Sequence, residues 1–157
     1  MDYGGTKGAF SGITTAESFE KSTPAYFQDD NGNCIYSFSE DKDGSALYKT
    51  VQTTVDAAKA EGAKYVMAIA HLGMDGTTEY WTAEAVIQNT TGIDAMLDGH
   101  SHEEYSKTVA NNEDDSVVLA QTKTKLANLS QQTTPAYAKN TPDVQPAKAN
   151  PTNDHHQ

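Results

Sequence analysis

Residues 64–102 read KYVMAIAHLGMDGTTEYWTAEAVIQNTTGIDAMLDGHSH, and their pattern decides the fold. After Lys64, the stretch Tyr-Val-Met-Ala-Ile-Ala70 is apolar without interruption and has the length of one strand. Such a run fits a strand buried on both faces, as in a parallel sheet flanked by helices. Thr82 to Asn89 reads as a short helix, Gly92 ends the linker, and Ile93 to Leu97 is a second buried strand. Immediately upstream, Leu47, Val51, Val55 and Ala58 repeat at three- and four-residue spacing and draw one apolar stripe on a helix from Ser45 to Glu61. Ser45 is expected as its N-cap and Gly62 as its left-handed C-terminal residue. Helix, strand, helix, strand is the alternation of an α/β domain with right-handed crossovers.

The pattern weakens outward. Lys7 to Thr15 (KGAFSGITT) reads as a short strand, and Ala16 to Gly44 as a long surface excursion with one short strand at Cys34–Phe38. Lys107–Ala110 and Val117–Gln121, separated by the turn-rich Asn111–Asp115, read as a hairpin on the sheet. The ordered body is expected to span residues 1–130. Residues 131–157 have several prolines and no apolar periodicity, so they are expected to form a disordered polar tail.

Bulk properties exclude several function classes. A net charge of −11 offers nothing to neutralise a phosphate backbone, so no nucleic-acid polymer is expected as a partner. No apolar run approaches the roughly 20 residues of a membrane span. Met1 is followed by Asp2, Tyr3 and two glycines, which is no signal peptide. Cys34 is the single cysteine, so no disulfide can form within the chain.

Both buried strands run into histidine: Ala70-His71-Leu72-Gly73 after the first, and Asp98-Gly99-His100-Ser101-His102 after the second. Ligand sites of open α/β sheets lie beyond the carboxyl ends of the strands, so parallel neighbours would bring His71, His100 and His102 to one edge. On extended chain His100 and His102 address the same side. Neutral imidazole is the commonest metal ligand, and three of them suit zinc, manganese or iron. A lone His-x-His is equally a hydrogen-bonded surface pair, and spacing leaves both readings open. Asp75 and Asp98 lie beside the histidines and could accept an imidazole N–H, though for Asp98 loop hydrogen bonding is an equal alternative. Tyr80 and Trp81 are read as packing against the sheet, Thr14 and Thr15 as structural, and Asp154-His155-His156 as a solvated polar end.

The string HLGMDGTTEYWTAEAVIQNTTGIDAMLDGHSH, with GITTAESFEKSTPAYF before it and the helix-strand LYKTVQTTVDAAKAEGAKYV between them, resembles bacterial 5'-nucleotidases and 2',3'-cyclic-nucleotide phosphodiesterases of the calcineurin-like metallophosphoesterase superfamily. The resemblance runs from Lys7 to Leu129. It implies the C-terminal half of a catalytic domain, a partial sandwich of α/β/β/α type with a mixed sheet and flanking helices. It also implies a metal-dependent phosphoric ester hydrolase acting on nucleotide phosphomonoesters, with two divalent ions such as Zn, Mn or Co. His71 and His100 would serve one ion and His102 the other. An extracellular or cell-envelope location is likewise implied.

The chain departs from the family pattern in what it lacks. The family's Asp-x-His and Gly-Asn-His motifs, which supply the bridging aspartate, the asparagine ligand and the leaving-group histidine, do not occur here, so no catalytic residue is assigned in this chain. Gly32-Asn33 is followed by Cys34, and Lys123 and Ser130 stand where relatives carry glycines. The expectation is therefore a chain inactive alone, completed by the missing N-terminal half or prone to self-association. The alternatives are a non-catalytic metal-binding module and one partner of a split phosphoesterase.

Overall fold

In the computed structural model, which describes residues 1–39, 41–75, 79–124, 128–133 and 143–148, the apolar run after Lys64 forms β3 of a six-stranded sheet. In chain order the elements are β1 (Asp2–Tyr3), β2 (Thr6–Thr14), α1 (Glu17–Lys21), a 3₁₀ turn (Pro24–Phe27), α2 (Ser45–Ala60), β3 (Tyr65–His71), α3 (Ala83–Gln88), β4 (Ala95–Asp98), β5 (Glu104–Ala110), β6 (Ser116–Thr122), β7 (Asn128–Thr133) and β8 (Asp143–Lys148). The sheet order is β1-β2-β3-β4-β6-β5. β2, β3, β4 and β6 run parallel, while β1 and β5 pair antiparallel at the two edges. This is the α/β architecture expected, a mixed sheet with flanking helices.

Periodicity explains which faces meet. The α2 stripe of Leu47, Val51 and Val55 is buried, as are Val86 and Ile87 of α3. They pack on one face of the sheet against Val66, Ala68, Ala70, Met96 and Leu119 in a single cluster. Trp81 joins this core at 6% exposure. Fully burying an aliphatic side chain of this size contributes roughly 1.5–3 kcal/mol, so this cluster dominates the stability of the fold. Both crossovers, β2 to β3 and β3 to β4, step the same way across the sheet, which puts both helices on that face.

The other face differs from the expectation of strands buried on both sides. β3 alternates: Val66, Ala68 and Ala70 face the helices and are buried, whereas Ile69 is 45% exposed and, in the facing row of β2, Phe10 is 50% exposed. The sequence pattern cannot report this, because an apolar run looks the same whether or not a covering layer is present. Over β4 and β6 this second face is closed, with Ala95, Val118 and Ala120 buried beside Leu97. The β7–β8 ladder lies near β6 and β5 of the main sheet.

Those two strands fall largely within the segment expected as a disordered tail. β7 (NLSQQT) and β8 (DVQPAK) carry no apolar alternation, so periodicity could not find them. Pro146 is tolerated in β8 because that strand pairs with β7 alone. The remaining residues after 124 lie outside the described residues.

Two local expectations change. Helix α2 is capped by Asp41 rather than Ser45: the Asp41 carboxylate accepts from the backbone N–H groups of Gly44 and Ala46 and from the Ser45 hydroxyl. These bonds hold the Asp41 carboxyl below the usual range, the Ala46 N–H contributing most. Gly62 does end the helix at φ +88°, with Ala63 N–H donating to Ala58 O. The expected strand at Cys34–Phe38 reduces to one bridge, Gln28 with Cys34. That excursion is instead organised by rings: Phe27 packs on Phe19, Phe38 and Tyr36 with centroids 5.5, 5.6 and 6.4 Å apart.

Candidate functional site

Parallel pairing brings the carboxyl ends of β2, β3 and β4 to one edge. Register sets Thr14 beside His71 and Ile69 beside Leu97, so the chain leaves β3 at His71 and β4 at Asp98 side by side. The loop after β4 then turns back. His100 and His102 both have left-handed backbone, with φ of +82° and +59°. Non-glycine residues held there cost of order 1–3 kcal/mol each and persist where surrounding contacts determine them.

Those contacts can be named. The Asp98 carboxylate accepts from Leu72 N–H at 2.9 Å and Gly73 N–H at 3.0 Å, tying the loop after β3 to the end of β4. Tyr105 donates its hydroxyl to the same carboxylate at 3.2 Å. Burial and then the neighbouring Asp98 charge push the Tyr105 hydroxyl pKa upward, so it stays a proton donor. Gln121, 3% exposed, pins the second loop: its Nε2 donates to Gly99 O at 3.0 Å and its Oε1 accepts from Glu103 N–H at 2.7 Å. Glu103 O in turn accepts from Lys123 N–H at 2.7 Å. Lys123 adopts φ +68°, a conformation that favours glycine.

Two glycines let the loops close on each other. A β-carbon at Gly99 would sit 3.1 Å from His71 Nδ1. At Gly73, where φ is +77°, it would sit 3.2 Å from His100 Cδ2 and 3.3 Å from Asp75 Oδ1.

The result is a short chain of titratable groups. His100 Nδ1 lies 3.3 Å from His71 Nε2, with ring centroids 5.0 Å apart. His100 Nε2 lies 3.0 Å from Glu17 Oε2, and both side chains are mostly withdrawn from solvent, at 15% and 14% exposure. Glu17 also pairs with Lys21 one helical turn on.

Of the residues singled out in the sequence, His71 and His100 therefore come together. His102 is exposed, and no hydrogen bond joins it to either ring among the described residues. Asp98 meets backbone amides and Tyr105 rather than an imidazole, the loop-bonding alternative. Asp75 is exposed beside Gly73, without a hydrogen bond to a histidine among the described residues. Asp154, His155 and His156 lie outside the described residues.

Sequence reasoning missed Glu17, Gln121 and Tyr105. Glu17 stands in the TTAESFE segment just past the end of β2, so proximity to a third strand end was the one signal that could have raised it. Gln121 and Tyr105 sit inside strands and give no pattern at all.

Donor chemistry fits an ion in part. Nitrogens 3.3 Å apart can both bond one ion at roughly 2.0–2.1 Å, as zinc–imidazole bonds require. Among the described residues no group of three His, Cys, Asp or Glu side chains is arranged to hold a metal.

No protein-family model matches the chain. No curated protein matches it. Among solved structures, the NAD nucleotidase of Haemophilus influenzae is similar in fold: TM-score 0.64 at 16% identity, covering 94% of this chain and 26% of that one. The likeness at this identity is one of fold, and the chain spans about a quarter of that protein's length.

Proposed function

We propose that the chain is part of a metal-dependent phosphoric ester hydrolase of 5'-nucleotidase type and supplies histidine ligands to a di-metal site. The observation that carries this reading is the approach of His71 Nε2 and His100 Nδ1 to 3.3 Å at the carboxyl ends of two adjacent parallel strands. That is where ligand sites of such sheets are built. The fold's similarity to a stretch of a nucleotidase supports the same reading.

In this proposal His71 and His100 hold one ion and His102 reaches its partner. Divalent ions, when bound, lower the pKa of a water nucleophile and draw charge off the phosphoryl oxygens. The protein's own residues do the positioning: Asp98 and Gln121 hold the two loops, and Gly73 and Gly99 let the imidazoles approach. Substrates are nucleotide or other phosphomonoesters, and the location is extracellular or in the cell envelope. The bridging aspartate, the asparagine ligand and the leaving-group histidine come from outside this chain, so the chain alone turns over little or nothing.

A second reading, one partner of a split phosphoesterase, draws on the open second face of β2 and β3, where Phe10 and Ile69 are about half exposed. A covering layer there, from the missing N-terminal half or from a separate polypeptide, would also bring the remaining ligands. A metal-binding module without turnover is the remaining alternative.

The test is metal-dependent hydrolysis of p-nitrophenyl phosphate and AMP with Mn²⁺, Co²⁺ or Zn²⁺, beside calorimetric metal titration of the wild type and His100→Ala. Metal uptake weakened by the substitution, with no turnover, supports a half-site. Turnover lost on substitution means the site is complete within this chain. Absence of uptake by the wild type sinks the ligand assignment.

A further inference from the structure

Glu17 reaches His100 from 83 positions away in the sequence, and the route by which it does so is built rather than incidental. Thr15, 2% exposed, donates its backbone N–H to His71 O at 3.0 Å and accepts Glu17 N–H on its Oγ1 at 3.2 Å. The backbone that presents Glu17 is thus bonded directly to the residue bearing the first imidazole. Two residues later Phe19 packs on Phe27 and Phe38, with centroids 5.5 and 6.5 Å away, and Phe38 packs on the main core. A helix of five residues has little stability of its own, so these contacts are what hold the carboxylate in place.

We infer that Glu17 is the positioning residue of His100, accepting its Nε2–H and so leaving the Nδ1 lone pair turned toward His71. An ionised carboxylate can only accept, so the nitrogen 3.0 Å away must carry the hydrogen. The other nitrogen of a neutral ring is then the one free to bond an ion. A carboxylate behind a ligating histidine fixes its tautomer and ring orientation. With side chains 14% and 15% exposed, the pair is sheltered enough to hold one geometry, unlike a solvated surface ion pair. This role rests on the reading of His71 and His100 as ligands of one ion, whereas the Glu17–His100 bond does not.

Two measurements on the full chain separate those claims. In metal-free protein at alkaline pH, where an ordinary imidazole is neutral, proton NMR should show a slowly exchanging, downfield Nε2–H signal of His100. It should vanish in Glu17→Ala and in His100→Ala. Titration with Co²⁺ alone should give a dissociation constant 10- to 100-fold weaker in Glu17→Ala, and a smaller loss in Glu17→Gln, which keeps an acceptor and the side-chain shape. Lys21→Ala removes a further partner of the same Glu17 Oε2 but leaves His100 its acceptor, so it should weaken Co²⁺ binding less than Glu17→Ala does. If Glu17→Ala fails to fold, Glu17→Gln carries both readouts. Persistence of the downfield signal in folded Glu17→Ala overturns the proposal, as does an unshifted signal in Glu17→Gln, whose neutral amide accepts more weakly than a carboxylate. Unchanged Co²⁺ affinity in those variants does so as well. A wild type that takes up no Co²⁺ defeats the ligand reading and, with it, the role of Glu17 toward an ion. The NMR signal then still decides whether Glu17 holds His100.

Discussion

Replacing Gln121 by methionine keeps most of the side-chain volume and removes the amide, and we predict a loss of stability centred on the loop that carries His100. Gln121 is 3% exposed, so water has little access to the groups it serves. One backbone partner is orphaned, Glu103 N–H at 2.7 Å from Oε1, while Gly99 O, at 3.0 Å from Nε2, loses one of two bonds and keeps the Ser101 N–H at 3.2 Å. Leaving a buried polar group unpaired costs roughly 1–3 kcal/mol. Glu103 is exposed, so partial rehydration places its N–H near the lower end of that range, and the bond lost at Gly99 O adds the roughly 0.5–1.5 kcal/mol of an ordinary hydrogen bond. The expected sum is about 1.5–2.5 kcal/mol. For a chain of this length each kcal/mol moves the midpoint by roughly 2–4 °C, so Tm should fall by about 3–10 °C. Thermal unfolding followed by circular dichroism reads this directly, with exposed Thr53→Ala on α2 as the control. The loop should also loosen, and Co²⁺ affinity should fall together with stability. A Tm change no larger than the control's, which corresponds to about 0.5 kcal/mol or less, would refute the claim that Gln121 determines the loop.

Three further outcomes follow from the same structure. Ile87→Ala empties a fully buried position of α3 in the main core and should cost roughly 2–5 kcal/mol, read by urea unfolding; a loss below 1 kcal/mol would mean the helix face is not packed as described. Because hydrogen bonds depress the Asp41 carboxyl, its stabilising contribution is fully present above the ordinary carboxylate value of about 3.9 and is lost as pH falls through its lower folded value. Thermal melts from pH 6 downward should therefore show the wild type losing its advantage over Asp41→Ala in the acid range, and a difference independent of pH would contradict the cap. Phe10→Ser with Ile69→Ser alters side chains 50% and 45% exposed, so about 1 kcal/mol each should be lost while self-association weakens in sedimentation velocity; an unchanged oligomer distribution would show that this face mediates no contact between copies.

What was legible in the sequence was whatever has a local period. The apolar stripe of Leu47, Val51 and Val55 and the runs at 65–70 and 93–97 announce a helix and buried strands, because side-chain direction repeats every 3.6 or 2 residues. Histidines at two strand ends were equally legible, since parallel α/β sheets collect their sites at that edge. Strands β7 and β8 were not, because a backbone ladder forms without apolar alternation. Tertiary structure alone decided that His71 and His100 stand 3.3 Å apart while His102 turns outward, a matter of strand register and of two left-handed loop residues. It alone brought Glu17 to His100, and Gln121 to the loop that carries His100, since those contacts join segments whose separation along the chain carries no repeating signal. The open face of β2 and β3 belongs to the same class: an apolar run records that a strand can be buried, and only the neighbouring layers determine whether it is.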